Sequence, residues 1–388
     1  MEIFQWKLFL IIGSFLIAYL ILIRDLSFKN TYKIPSYYHF FNRSLNTSFN
    51  TYENIEKPGL PIQSRNFLIL TYTTFFGDPF PLSPSSECGF NTSNFQITNN
   101  KEQFKNSDVV MFHSRNMPSM QELIHLNNLR GKDQLWIYFT MESIYNNPGV
   151  NDIDKYFNAS ATYGVDTDIP FPYRYHKKRL EVVESFNKDY FLNKTRMVAW
   201  AVSNCNGDAR NKLALKLISH GVGIEVSGGC AGRFPKAFSS KCRGRPCYED
   251  LRDFKFYFSA ENSLCDGYIT EKYWSSGLDF DVIPIVLGGS NYSDPRLAIP
   301  GSFIDAMSFD SPKKLADYIL DVSSNSTKYN SFFEWKKHWQ LDSSSFFCML
   351  CDKLRNGVNF RTNPLLKTMN REKCTRPQEK FNIWINQN

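Results

Sequence analysis

Between Lys255 and Tyr292 the chain reads KFYFSAENSLCDGYITEKYWSSGLDFDVIPIVLGGSNY, a segment whose polar groups gather between two apolar runs. Phe254, Phe256 and Phe258 alternate, which predicts a half-buried strand. The run breaks at Glu261-Asn262-Ser263, and the spacing predicts a helix from Asp266-Gly267 with Tyr268, Glu271 and Lys272 in its first turns. Val282 to Leu287 make a second strand, closed by a Gly288-Gly289 turn. Strand, polar loop, helix and strand bring the positive end of a helix and a lysine to one crevice, where a nucleotide diphosphate is well held. An ordinary βαβ crossover with solvated charges would share the pattern.

A second unit of the same kind precedes it. Met197 to Val202 is an apolar strand ending at Ser203-Asn204-Cys205-Asn206-Gly207. A helix is expected from Asp208 to His220, stopped by Gly221, and then a strand from Val222 to Val226 that ends in Ser227-Gly228-Gly229. Arg210 falls in the first turn of that helix, at the carboxyl end of a strand, where open α/β sheets bind ligands. Its fixed charge and forked donors suit phosphate. On pattern alone a surface helix arginine is the favoured reading.

The elements upstream are shorter. Phe67 to Tyr72, Val109 to Phe112 and Leu135 to Phe139 are candidate strands, with a helix from Ser119 to Leu129 between the last two. Downstream, Ser311-Pro312 caps a helix through Asp321. Lys177-Lys178-Arg179 reads as a solvated interdomain segment. The chain has 388 residues and a net charge of +7. That modest surplus, spread along the sequence, suits an anionic small partner better than nucleic acid, for which no motif or basic arm is present.

Residues 1–7 read as a cytoplasmic tail, Leu8 to Ile23 as an uncleaved transmembrane signal anchor flanked by Lys7 and Arg24, and 24–60 as a polar stem. A cleaved signal peptide is the rival, but no small-x-small site follows Ile23. Sequons at Asn42, Asn46, Asn91, Asn158, Asn193, Asn291 and Asn325 fit a lumenal body. So do nine cysteines, which predict disulfides of undetermined pairing with at least one thiol left over; Cys265 is a candidate for it. Cys348-Met-Leu-Cys351 lacks the further CxxC or His pair that a zinc site needs.

ENSLCDGYITEK followed by VIPIVLGG resembles the donor-binding signature of the α1,3-fucosyltransferases. VAWAVSNCNGDAR, Phe157-Asn158-Ala159-Ser160 with Asp166-Thr167-Asp168-Ile169, and Phe332-Phe333-Glu334-Trp335-Lys336 resemble further elements of that family, in its order, from about Val109 to Cys351. The invertebrate members are the type it resembles. The likeness implies an α/β fold of two Rossmann-like domains facing a cleft, the GT-B arrangement, after a single transmembrane helix and a stem. An acceptor-side domain at 61–185, a donor domain at 186–365 and an extension at 366–388 are expected.

By resemblance the chain would transfer L-fucose from GDP-fucose, with inversion and in α1,3 linkage, to a GlcNAc of glycoprotein glycans, as a single-pass type II protein of the Golgi membrane. Glu142, before Ser143, carries over as the base on the acceptor hydroxyl. Lys272 and Arg210 carry over as counter-charges of the departing diphosphate. Asn262, Tyr268, Glu271 and Ser203 join them on the donor, with Glu261 behind. His113 and Arg115 fall where the family has its acceptor-side HHRD or HHWD element, and the arginine resembles members restricted to α1,3 transfer. The family's counterpart of Asp166-Thr167-Asp168 is not a metal site, so no obligatory cofactor or metal is expected, although stimulation by manganese is compatible. Ala260, Gly267, Ile144, Gly164 and Val165 depart from the family pattern. The alternative they raise is a membrane-anchored glycan-binding member that has lost turnover.

Overall fold

Val109–His113 and Ile283–Leu287 are buried at every position, as are Ala159–Thr162 and Ile224–Ser227, and such runs need cover on both faces. Parallel sheets between helical layers provide that cover. The computed structural model describes residues 65–80, 82, 88–147, 149–184, 188–236, 251–342, 345–356, 365 and 369–387. The expected tail, anchor and stem, Asn42, Asn46, Cys242 and Cys247 lie outside the described residues.

The first sheet contains β1 (Phe67–Thr71), β2 (Phe95–Thr98), β3 (Val109–His113), β4 (Leu135–Thr140), β5 (Ala159–Thr162) and β6 (Ile169–Pro170) in the order β2-β1-β3-β4-β5-β6. Every neighbouring pair is parallel. After β7 (Tyr175–Lys178) comes a second sheet of β8 (Arg196–Ala201), β9 (Ile224–Ser227), β10 (Phe254–Ala260), β11 (Ile283–Leu287) and β12 (Ile304–Asp305), ordered β12-β11-β10-β8-β9 and again parallel. β7 pairs antiparallel with β13 (Trp339–Asp342). The helices are α1 (Met120–Leu129), α2 (Val150–Ile153), α3 (Asp208–Ser219), α4 (Glu271–Trp274), α5 (Pro312–Ser324), α6 (Ser326–Ser331), α7 (Phe346–Arg355) and α8 (Glu372–Trp384). Two Rossmann-like α/β sheets were expected from the sequence, and two are found.

Strand order reverses between β1 and β3 in the first sheet and between β8 and β10 in the second. Ligands of open α/β sheets sit beyond the carboxyl ends of strands at such points. The first reversal carries Tyr72 and Thr73 on one side and His113 to Arg115 on the other. The second carries Ser203 and Asn204, then Glu261 and Asn262.

Several expectations change. Phe254, Phe256 and Phe258 are not on a half-buried strand: β10 is central, and Tyr257 and Ser259 on its other face are buried too. Phe258 meets Trp200 edge to face at 5.1 Å, while Tyr257 joins Ala199, Leu251 and Val282. Burial of each such aromatic contributes about 1.5–3 kcal/mol. The helix expected from Asp266 is a single turn that starts at Glu271, because Gly267 is left-handed (φ +74°) and directs the chain into a loop first. Lys177-Lys178-Arg179 is not a solvated segment: β7 carries the two lysines, Lys177 lies 3.4 Å from Asp342, and Arg179 Nε donates to Lys336 O at 2.9 Å.

The chain also returns to the first domain earlier than residue 365. Phe346 of α7 packs on Phe139 and Phe171 at 5.1 and 4.6 Å, and Cys348 is bonded to Cys88. Cys265 is not the spare thiol: it is bonded to Cys374 at the start of α8. The free cysteine among the described residues is Cys351, whose thiol burial pushes up to about 12. Beyond Cys374, Phe381 and Trp384 of α8 enter the second core.

Candidate active site

The carboxyl end of β8 is held open by small residues. A Cβ at Gly228 would approach Val202 O to 2.6 Å, and the Cys205–Cys230 disulfide ties the loops after β8 and β9 together. A Cβ at Gly207 would collide with Arg210 Nε. These loops fix Arg210, which is 2% exposed and donates through Nη2 to Asn204 O. Its Nε is buried without a hydrogen-bond partner among the described residues, and so is Asn262 Oδ1 across the reversal point. Buried polar atoms are almost always paired, so two unpaired ones at one crevice mark a place for a polar ligand. Ser203 is exposed at the rim, with its Oγ accepting from Gly229 N at 3.4 Å.

Lys272 sits in α4 beside two carboxylates. Its Nζ is 2.9 Å from Glu271 Oε1, 3.3 Å from Glu261 Oε2 and 2.8 Å from Thr270 Oγ1. Burial works to lower its pKa, but Glu261 and Glu271 outweigh that and hold the ammonium well above its ordinary value; Arg210 is near enough to oppose them. Glu261 is enclosed, and burial raises its carboxyl although Lys272 pulls it down. It accepts from Thr270 N at 2.8 Å and from Thr270 Oγ1, which fixes the turn that launches α4. Glu271 keeps about a third of its side chain in solvent, and Lys272 overcomes burial to hold its carboxyl low.

Tyr268 joins the two domains. It is buried, its ring lies 4.9 Å from Tyr163 of the first domain, and its hydroxyl approaches Glu142 Oε2 at 3.5 Å. Burial above all, then Glu142, Glu261 and Glu271, raises its pKa far above the ordinary phenol value, so it stays a proton donor. Ser143 Oγ donates to Ser263 Oγ at 3.0 Å beside it.

Glu142 follows β4 and is half-buried. Asn146 Nδ2 donates to Glu142 Oε2 at 2.9 Å, and Arg115 Nη1 donates to Asn146 O at 2.7 Å, so Arg115 reaches the carboxylate through one residue. Asn147 anchors the same turn by donating to the backbone carbonyls of Glu142 and Ser143. His113 is placed otherwise. It is 1% exposed, ringed by Phe75 and Phe76 at 4.6 and 4.8 Å, and its pKa is lowered by burial to about 4. It shapes this edge from beneath and presents no surface to an acceptor.

Glu142, Tyr268, Glu271, Lys272, Arg210 and Asn262 thus converge, as expected by residue number. Asn146 and Thr270 were not foreseen: a loop amide and a helix-start threonine carry no signal without the fold. The DxD aspartates separate, Asp168 accepting from Ser160 N and Oγ at 2.9 Å and Asp166 facing Arg296 at 3.4 Å. Departures from the family pattern are local. Ala260 is packed wholly inside the second core, and Gly267 lies against Gly164 across the domains, 3.8 Å from a built Cβ, so two of these substitutions meet each other.

Among the sequons, Asn91, Asn193 and Asn291 are exposed. Asn325 caps α6 through its side chain. Asn158 spends its Oδ1 on Trp136 N at 2.9 Å and on Arg130, a structural role that competes with carrying a glycan. No helix among the described residues is long and apolar enough to cross a membrane.

A carboxylate of one domain thus meets the hydroxyl of a loop whose following turn carries Lys272. Residues 64–174 match the family model described as Fucosyltransferase, N-terminal, and 191–369 match Glycosyltransferase family 10 (fucosyltransferase) C-term. The 3-galactosyl-N-acetylglucosaminide 4-alpha-L-fucosyltransferase of Bos taurus is 33% identical over 302 residues, covering 76% of this chain and 80% of that protein. The 4-galactosyl-N-acetylglucosaminide 3-alpha-L-fucosyltransferase of Gorilla gorilla gorilla is 33% identical over 306 residues, covering 76% and 77%. A crystal structure of an alpha1,3-fucosyltransferase with GDP-fucose superposes with a TM-score of 0.50 over 81% of this chain and 96% of that one, at 16% identity, and so shares the fold. With both halves matched by one family's models, the chain belongs to glycosyltransferase family 10, the fucosyltransferases.

Proposed function

We propose that this chain transfers L-fucose from GDP-fucose, with inversion and in α1,3 linkage, to a GlcNAc of glycoprotein glycans. The observation that carries the reading is the contact of Tyr268 with Glu142: the donor loop and the acceptor-side carboxylate meet at one hydroxyl. Glu142 takes the proton of the acceptor hydroxyl as that oxygen attacks the anomeric carbon and the bond to the GDP oxygen breaks. Asn146 and Tyr268 orient the carboxylate. Arg210 and Lys272 receive the diphosphate's growing charge, with the free Arg210 Nε and Asn262 Oδ1 completing the donor contacts. Glu271 faces the fucose or its developing positive charge, and Ser203 the rim of the nucleotide.

These cations supply the neutralisation that a metal supplies in other transferases, and no obligatory metal is assigned. Arg115, tied to the Glu142 turn, sits on the acceptor side. Three disulfides among the described residues and exposed sequons support a lumenal, Golgi setting with 8–23 as a type II anchor. Incubation with GDP-fucose and a glycan panel, with linkage analysis of the product, tests the reading. Donor and glycan binding without any product would establish the glycan-binding alternative in its place.

A further inference from the structure

A cavity of about 900 Å³ lies between α3 and α8. Its mouth is Tyr145, Asn262 and Ser263, immediately beside the Glu142 turn, and it runs outward along α3 as far as Ser219. Arg210, Lys272, Glu271 and Ser203 are not among its lining residues, so it adjoins the donor site through Asn262 and extends away from the place assigned to the diphosphate. α8 presents Gln378 and Asn382 one turn apart, with Gln378 Nε2 donating to Asn382 Oδ1 at 3.1 Å, which leaves Gln378 Oε1 and Asn382 Nδ2 to face a ligand; Asn386 follows just past the helix end. Asn206 faces them from the loop before α3.

Amides both donate and accept, which matches the donor-and-acceptor character of sugar hydroxyls and N-acetyl groups. The charges of the lining are mixed, Lys212 paired with Asp208 at 2.7 Å and Lys216 beside them, and its amides outnumber them. Peptides dock through apolar anchors, and the α8 wall offers amides in their place. One further observation points to a ligand. Tyr145 is 48% exposed, with its hydroxyl 3.3 Å from Thr375 Oγ1, so its ring is held between the domains with a face open for stacking.

We propose that this cavity is an acceptor subsite that binds the sugars of a glycan beyond the GlcNAc receiving fucose. The inference rests on the acceptor being a glycan, as proposed above. Its extended form explains how a protein with a small reaction centre would prefer whole glycans to short ones.

Isothermal titration of the full chain, with GDP present, against a free GlcNAc-terminated biantennary N-glycan and against the GlcNAc-β1,4-GlcNAc disaccharide tests it. Two or three amide contacts give the N-glycan an advantage of about tenfold or more. Asn382→Trp, which fills the cavity, should abolish that advantage, and Asn382→Ala should reduce it, while the affinities for the disaccharide and for GDP stay as in the wild type. Equal wild-type affinity for the two sugars, or an N-glycan preference that survives Asn382→Trp, overturns the assignment. Fucose transfer to the disaccharide in the same samples reports on the proposed reaction separately.

Discussion

Lys272→Ala should have two consequences that a second substitution separates. The lysine is 14% exposed and Glu261 is fully enclosed, so removing the ammonium leaves a buried carboxylate without its counter-charge. Breaking such a pair costs about 3–5 kcal/mol of stability. Glu261 already has its carboxyl raised by burial, and Lys272 is what pulls it down. Without the lysine it rises further, and a raised carboxyl loses stability as pH climbs above the ordinary carboxylate range, so the defect should deepen from acid toward neutral pH. Separately, loss of one charge-assisted phosphate contact weakens GDP by roughly 1.5–3 kcal/mol, about 10- to 150-fold in Kd.

Adding Glu261→Gln removes the orphaned charge but keeps an oxygen for Thr270 N, so the double variant should recover most of the stability. Its GDP affinity should stay low. Denaturant unfolding at several pH values and isothermal titration with GDP measure the two effects. If affinity returns together with stability, Lys272 acts by holding the loop and not by meeting the phosphates, and the donor assignment fails.

Glu142→Gln keeps the contacts to Asn146 and Tyr268 but cannot accept the acceptor's proton; kcat should fall by about 10²–10⁴ while GDP affinity and thermal stability hold. A wild-type rate in that variant would place the base elsewhere. His113, with its pKa lowered by burial to about 4, is neutral in the folded protein and must take a proton to unfold in mild acid. The wild type should therefore lose about 3 kcal/mol relative to His113→Phe as pH falls from 6.5 to 4; parallel stability curves for the two proteins would contradict this burial.

The donor loop was legible because its chemistry is local. Phe254 to Ala260 is rich in aromatic residues and Ile283 to Leu287 is wholly apolar, and Asn262, Glu271 and Lys272 all fall in the segment between these two strands. The resemblance then tied Glu142 and Arg210 to the same site from distant positions. What stayed hidden depends on partners far along the chain. Cys265 meets Cys374 over a separation of 109 residues, and Lys177 pairs with Asp342, so neither contact leaves a local trace. Ala159–Thr162 escaped notice as a strand because its side chains are small; it is buried by its neighbours and not by its own bulk. His113 read as an acceptor contact from its place in a motif, yet three surrounding phenylalanines, Phe75, Phe76 and Phe80, come from a loop forty residues upstream. Helix α4 starts later than expected because the left-handed Gly267 and the Glu261 contacts to Thr270 set its true start, and neither shows in the local sequence.

The most direct test is transfer by the purified full chain from GDP-fucose to a GlcNAc-bearing glycan in the presence of a chelator, with the product's linkage and anomeric configuration read by NMR. The proposed reaction predicts an α1,3-linked, inverted product, and the proposed placement of Arg210 and Lys272 on the diphosphate predicts a rate the chelator leaves largely intact, with any gain from manganese a secondary effect. Absence of product from every acceptor despite GDP-fucose binding, or activity lost in chelator and restored only by metal, would contradict that mechanism.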